Sequence, residues 1–253
     1  MSNTTRIIIS GCNGKMGHVI FTCAAQRENC TVVAGIDLNT EIPREFPVFA
    51  KPADIEVEAD VLIDFSNPSL LPSLLQYGKN KGVPLVLCTT GYNSAQVEML
   101  TKASKDIPIF YSGNMSLGVN LLIELSKKAA KVLGNSFDIE IIEKHHNQKV
   151  DAPSGTALMI ADGISSVVDE NMNYIYDRHS QRKKREATEI GIHSVRGGTI
   201  VGEHEVIFAG SHEVITLSHS AQSKEIFASG AVNAALYLVC QPAGLYDMSD
   251  LLK

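Results

Sequence analysis

The apolar positions of the chain fall into two different rhythms. Over the first 115 residues, short unbroken apolar runs alternate with stretches of helical spacing. Residues 6–10 read as a buried strand, 15–27 as a helix, 31–37 as a second strand, 61–65 as a third and 84–89 as a fourth. A helix over 94–105 and a short strand over 108–111 follow. Strands that are apolar on both faces and separated by helices imply a parallel sheet covered on both sides. Pro68 and Pro72 put the start of the intervening helix near Ser69, because proline is tolerated only in a first helical turn.

The texture changes after Asn114. Residues 118–133 form a long amphipathic pattern that ends at Gly134, a natural C-cap. Residues 137–142 alternate like a strand and 157–168 read as a helix; 189–195, 199–209 and 213–218 are β-like, which suggests a mixed or antiparallel sheet. Residues 174–184 are polar and rich in basic side chains, so a mobile loop is expected, and 225–240 return to helix. The expectation is an α/β chain of two domains. The first spans 1–115 and is rejoined by 225–253; the second, an α+β domain with a mixed sheet, spans 116–224.

Composition narrows the function classes. With 253 residues the chain can bury a substantial core. A formal net charge of −6 and a pI near 5.7 argue against a nucleic-acid or membrane-surface partner. The apolar run at residues 7–9 is too short for a signal-peptide core or a membrane span. The five cysteines (Cys12, Cys23, Cys30, Cys88, Cys240) are scattered, which fits reduced thiols in a cytoplasm better than a disulfide framework or a zinc site.

Two motifs carry chemistry. The first is Gly11-Cys-Asn-Gly14-Lys-Met-Gly17, between the first strand and the first helix. A glycine-rich turn there lets the backbone approach a pyrophosphate at a helix N-terminus. The spacing is G-x-x-G-x-x-G, weak evidence on its own. Asp37 strengthens it, standing about 20 residues beyond the turn, where an acid would bind an adenosine ribose. This order of elements gives the first domain a Rossmann-type reading. A carboxylate at Asp37 accepts from a 2′-hydroxyl and repels a 2′-phosphate, so NADH is expected to be preferred, with NADPH usable if Lys15 partly compensates. Cys88-Thr-Thr-Gly91 and Ser112-Gly-Asn-Met115 follow later strands. They fit cofactor loops and ordinary turn chemistry equally well, and Phe65-Ser-Asn-Pro68 is a weaker case.

The second motif runs from Glu143 to Ala157 and brings two histidines, two lysines, acids and a Ser-Gly-Thr turn to one strand-to-helix junction. On an extended strand His145 and His146 point to opposite faces, so they cannot comfortably share a metal, and no metal site is expected. Taken alone, such a pair fits partly buried polar residues better than a ligand site. Lys149 can donate a proton, pair with a carboxylate or be a solvated charge. Ser154 resembles an N-cap, with the amides of Gly155 and Thr156 at the first helical turn, where a carboxylate binds well.

His-His-x-x-Lys-x-Asp-Ala-Pro-Ser-Gly-Thr-Ala, residues 145–157, resembles the signature of the dihydrodipicolinate reductase family. Segments 11–17, 88–91, 112–118, Val201-Gly-Glu-His204 and Leu245-Tyr-Asp-Met248 resemble family segments in order. The resemblance implies an NAD(P)H-dependent reduction of a cyclic imine dicarboxylate in lysine and diaminopimelate synthesis, by a cytoplasmic homotetramer whose mixed-sheet domain carries substrate and assembly contacts. By position it implies that His145 is an acid/base and Lys149 a proton donor, and that His146, Lys149, Gly155 and Thr156 hold substrate carboxylates. It also implies cofactor contacts at Gly11, Cys12, Asn13, Gly14, Lys15, Met16, Asp37, Cys88, Thr89, Thr90, Ser112, Gly113, Asn114 and Met115. In the mechanism so implied, a hydride reaches ring C4 after water is lost, and domain closure brings cofactor and signature run together. Cys88, Lys224 and the glycine-free stretch 182–186 depart from the common family pattern. Another two-domain dehydrogenase and a catalytically inactive dinucleotide sensor are the alternative readings.

Overall fold

The computed structural model describes residues 4–169 and 171–252. The chain folds into two compact units, Met1–Leu117 with Glu225–Lys253, and Gly118–Lys224.

In the first unit, β1 (Thr5–Ser10), α1 (Lys15–Ala25), β2 (Cys30–Ile36), β3 (Val48–Phe49), β4 (Val61–Asp64), α2 (Leu71–Lys81), β5 (Leu85–Leu87), α3 (Ser94–Ala103) and β6 (Pro108–Tyr111) succeed one another. After the second unit the chain adds α6 (Glu225–Leu238) and β12 (Gly244–Tyr246). The seven strands form one parallel sheet in the order β12-β6-β5-β4-β1-β2-β3. Strand β1 shows why its run is apolar throughout. Ile7 and Ile9 pack with Ile20 of α1 and Ala231 and Leu238 of α6, while Ile8 faces Leu71 and Leu74 of α2. All three isoleucines are fully buried, each worth about 1.5–3 kcal/mol.

Three elements of this unit escape a reading from pattern. Strands β3 and β12 are only two and three residues long, too short to show alternation. The chain around Pro68 first makes a short 3₁₀ turn, Pro68–Leu70, capped by Asn67, and α2 begins only at Leu71, with Pro72 in its first turn.

In the second unit, α4 (Leu117–Leu133), β7 (Asp138–His145), α5 (Gly155–Ser165), β8 (Asn173–Ile175), β9 (Glu189–Arg196), β10 (Gly202–Ala209) and β11 (Val214–Ala221) build a mixed sheet in the order β11-β10-β7-β9-β8. The β7–β9 and β8–β9 pairs are parallel; β10 runs antiparallel to β7 and β11. Ile139 and Ile141 of β7 meet Ile160 and Ile164 of α5 and Val206 and Phe208 of β10 in one buried cluster. Glu143 and His145 continue that same inward row.

The basic segment expected to be mobile is tied down instead. Arg178 binds Glu189 and Glu140, each at 2.7 Å. Arg185 reaches Asp138 at 2.7 Å and Glu140 at 3.1 Å and donates to the carbonyl of Ile139. Two of the segment's acidic partners, Asp138 and Glu140 on β7, lie 38 to 47 positions away, so composition alone mistook an ion-pair network for a solvated loop. Gly191 of β9 makes room for it, since a Cβ there would collide with the Glu140 carboxylate.

Candidate active site

The first unit carries a glycine-built cradle at the end of β1. Gly11 takes a left-handed φ of +79°, and a Cβ on it would stand 2.6 Å from the carbonyl oxygen of Phe65. A Cβ on Gly17 would stand 2.6 Å from the carbonyl oxygen of Cys12 and overlap that of Gly11, so α1 can begin this close to the turn only with glycine there. Gly14 is the N-cap of α1, with no side-chain cap bond, and Lys15 and Met16 open the helix. Asp37 follows β2 directly; its Oδ2 accepts from the backbone N–H of Asn13 at 3.0 Å and its Oδ1 from Asn39 at 3.3 Å. A cavity of about 320 Å³ lies alongside, lined by Gly11, Gly14, Asp37, Leu38, Ser66 and Leu70 among others. Of the expected cofactor residues, the structure thus gathers Gly11, Cys12, Asn13, Gly14 and Asp37 into one turn.

The other two strand-end loops are tied internally. Cys88 is buried, and burial pushes its thiol well above the ordinary range. Thr89 is also buried; its hydroxyl donates to Asp64 at 2.6 Å and accepts from the backbone N–H of Ser66 at 2.9 Å. Asp64 also accepts from the Ser66 hydroxyl at 2.5 Å, and burial raises its carboxyl pKa against those bonds. Thr90 and Gly113 are exposed. The Ser112 hydroxyl donates to the Asn114 carbonyl at 2.8 Å, and the Asn114 side chain accepts from the N–H of Ser116 at 2.9 Å. Met115 is buried, with its carbonyl against Gly230 of α6. These side chains shape the turns, leaving backbone groups and Thr90 as the available contacts.

The second unit carries the signature run, and its centre is Glu143. This carboxylate is fully buried. Both its oxygens accept from the Arg196 guanidinium at 2.7 Å. His145 Nδ1 lies 2.6 Å from one oxygen, and the backbone N–H of Ser154 donates to the other at 3.0 Å. Burial resists ionisation, but the hydrogen bonds from Arg196 and its neighbours outweigh it and hold the carboxyl at about 2. His145 behaves differently: burial lowers its pKa more than Glu143 raises it. The counter-ion of Glu143 is therefore Arg196, and His145 is a neutral ring that donates Nδ1–H to it near neutrality.

One carboxylate thus fixes a histidine, an arginine and a helix start. The pairing of β7 with β9 sets His145 opposite Arg196, and that of β7 with β10 sets Glu143 opposite His204. Ser154 caps α5, its Oγ accepting from the N–H of Ala157 at 3.2 Å and lying 3.0 Å from His204 Nε2. His204 packs edge-on against His145 at 5.3 Å between ring centroids, and burial depresses its pKa to about 4. The α5 start leaves Gly155 exposed and Thr156 half-buried. Lys149 is half-buried and pairs with Asp151 at 2.8 Å; His146, just past β7, is half-buried. The two histidines therefore part company at the end of the strand, as their adjacency requires.

Residues 5–115 match the model described as dihydrodipicolinate reductase, N-terminus, and residues 118–252 that described as dihydrodipicolinate reductase, C-terminus. The chain belongs to the dihydrodipicolinate reductase family. It is 55% identical to the 4-hydroxy-tetrahydrodipicolinate reductase of Caldanaerobacter subterraneus subsp. tengcongensis, over 98% of each chain. It is 50% identical to that of Clostridium tetani, over 98% of this chain and 97% of the other. The solved dipicolinate-bound dihydrodipicolinate reductase from Paenisporosarcina sp. TG-14 superposes with a TM-score of 0.81 at 28% identity, covering 96% of this chain and 97% of that one. The activity is that of a 4-hydroxy-tetrahydrodipicolinate reductase, an NAD(P)H-dependent oxidoreductase of lysine and diaminopimelate biosynthesis.

Within this reductase fold, Glu143, Arg196 and His204 were absent from the residues expected to do the work. Glu143 opens the signature run, but an acid on a strand looks like a surface residue until its partners arrive. Arg196 and His204 come from β9 and β10; their inward register, and for His204 its place in the Val201–His204 segment, were the signals available. Among the described residues no helix is long and apolar enough to cross a membrane.

Proposed function

We propose that His145 and Lys149 manage the proton of the reduction, and that His146, Lys149 and the amides of Gly155 and Thr156 hold the carboxylates of a cyclic imine dicarboxylate. The observation that carries this reading is the buried Glu143, which locks His145 by Nδ1 and ties the start of α5 to the same anchor through Ser154. The ring then sets Nε2 against Gly202, where a Cβ would stand 3.1 Å from it. A dicarboxylate arriving there adds negative charge, which favours the imidazolium form of a ring otherwise kept neutral by burial. Lys149 is an ammonium already paired to one carboxylate, Asp151, and a substrate carboxylate can compete for it. The α5 amides add the partial positive charge of a helix N-terminus.

The glycine cradle fits a nicotinamide dinucleotide: Gly11 and Gly17 permit a turn so tight that a Cβ on either would strike neighbouring backbone, and Asp37 is oriented by Asn13 at the ribose position. When bound, the cofactor supplies a hydride to ring C4. His145 or Lys149 then provides the proton that quenches the developing ring charge. Asp37 supports a preference for NADH, with NADPH also used. The division of labour is a dinucleotide-binding unit (1–115 with 225–253) and a substrate-binding, assembly-forming unit (116–224). We also propose a homotetramer working in the cytoplasm; exposed Val195 and Val214 on the mixed sheet fit self-association.

Steady-state reduction by His145→Gln and Lys149→Ala tests the roles. Each is expected to lose about 10²-fold or more in kcat, Lys149→Ala with a raised KM as well. Near-wild-type turnover in both variants would overturn the assignment.

A further inference from the structure

The glycine turn is bonded by a cation that no sequence motif announced. Arg44 lies in the segment between β2 and β3, which pairing of Gly35 with Val48 and Ile36 with Phe49 folds back beside the glycine turn. Its Nη2 donates to the carbonyl of Cys12 at 2.6 Å and its Nε to the side chain of Asn13 at 2.9 Å. The backbone N–H of Asn13 in turn donates to Asp37, so one residue links Arg44 to the acid at the ribose position.

Three features set Arg44 apart from a structural brace. It is half-buried, yet it makes no ion pair with a carboxylate among the described residues. Its remaining contacts are to the His18 ring, Nη1 at 3.0 Å from Nδ1 and Nη2 at 2.9 Å from Nε2. A neutral imidazole offers one lone pair, so at most one of those contacts is a hydrogen bond and guanidinium N–H groups remain for another acceptor. Finally, its bond to Asn13 ties it to the turn whose N–H holds Asp37, a carboxylate that alone would repel a phosphate. Lys15, the compensating charge expected from the motif, is exposed and forms no ion pair among the described residues.

We infer that Arg44 determines cofactor specificity: it receives the 2′-phosphate of NADPH and offsets the repulsion from Asp37, so that the site takes both cofactors. A guanidinium presents paired N–H donors that match phosphate oxygens and stays charged at every working pH. The inference rests on the dinucleotide reading of the glycine turn.

Equilibrium binding tests it without turnover. Dissociation constants for NADH, NADPH and the fragment 2′,5′-ADP are measured by titration calorimetry on the full chain and its Arg44→Ala, Arg44→Lys and Lys15→Ala variants. Arg44→Ala is expected to weaken NADPH and 2′,5′-ADP by at least about tenfold while NADH changes by less than about threefold. Arg44→Lys should recover part of the loss, and the salt dependence of NADPH binding should flatten in Arg44→Ala. Equal losses for both cofactors would make Arg44 a brace of the turn and overturn the inference. So would a 2′-phosphate-selective loss confined to Lys15→Ala, or wild-type binding of NADH with none of NADPH. Wild-type chain that binds neither cofactor would instead refute the dinucleotide reading, and the inference with it.

Discussion

Replacing Glu143 by Gln keeps the volume of the side chain and removes its charge. The amide can accept from one donor but turns its own N–H₂ toward another, so either Arg196 or His145 faces a donor where it had an acceptor. Breaking a buried pair by removing one partner costs about 3–5 kcal/mol. Arg196 keeps 19% of its side chain exposed and can recruit some water, which favours the lower end. Linkage gives a similar figure. A carboxyl held at about 2, against an ordinary value of 4.5, contributes about 3 kcal/mol to the folded state. Because the folded-state pKa is depressed, that contribution is complete above pH 4.5 and is lost as pH falls through 4.5 toward 2. Urea denaturation at pH 7 should therefore show Glu143→Gln less stable by about 3 kcal/mol, with the gap narrowing by about 1 kcal/mol near pH 3.5. Turnover should fall about 10²-fold, because His145 loses the charged acceptor that fixes its ring. A variant within about 0.5 kcal/mol of wild type and within about twofold in kcat would refute the reasoning, since a buried, fourfold-bonded carboxylate cannot be replaced that cheaply.

Other expectations follow from single sites. His204 is buried and its pKa depressed to about 4, so its neutral form is favoured in the folded state; stability is full above pH 6.5 and falls as pH drops from 6.5 to 4, by up to about 3 kcal/mol, and denaturation of His204→Gln across that range should show a flatter pH dependence than wild type. Gly17→Ala puts a methyl group into the backbone of the glycine turn and should weaken NADH binding by more than about tenfold in calorimetry while lowering the melting temperature. Arg185→Ala removes two ion pairs and three carbonyl contacts from the 176–187 segment; limited proteolysis should then cut there faster than in wild type, with a stability loss of about 1–2 kcal/mol.

How far the sequence carried can be judged from Ser154 and Glu143, eleven residues apart. Ser154 was legible because a capping serine is defined by the residues that follow it, and the bond to Ala157 spans three positions. The glycine turn was legible for the same reason: its φ angles and close approaches are properties of a short segment and the acid after the next strand. The apolar runs of β1, β2 and β4 likewise announced a two-sided parallel sheet, since only full burial on both faces tolerates them. Glu143 was present in the same run but unreadable, because its meaning lies in Arg196, 53 positions on.

What the sequence by itself determined is therefore local: the order of the longer strands and helices, the cradle, the cap, and a family signature long enough to be matched. The tertiary structure decided which charges meet. It carried Arg196 and His204 to Glu143 through strand register, pinned the basic 176–187 segment to Glu140 and Glu189, and brought Arg44 back to the glycine turn. Hydrogen bonds and ion pairs act over a few ångströms regardless of separation along the chain, so a residue's partner is settled only when the sheet that positions both has formed.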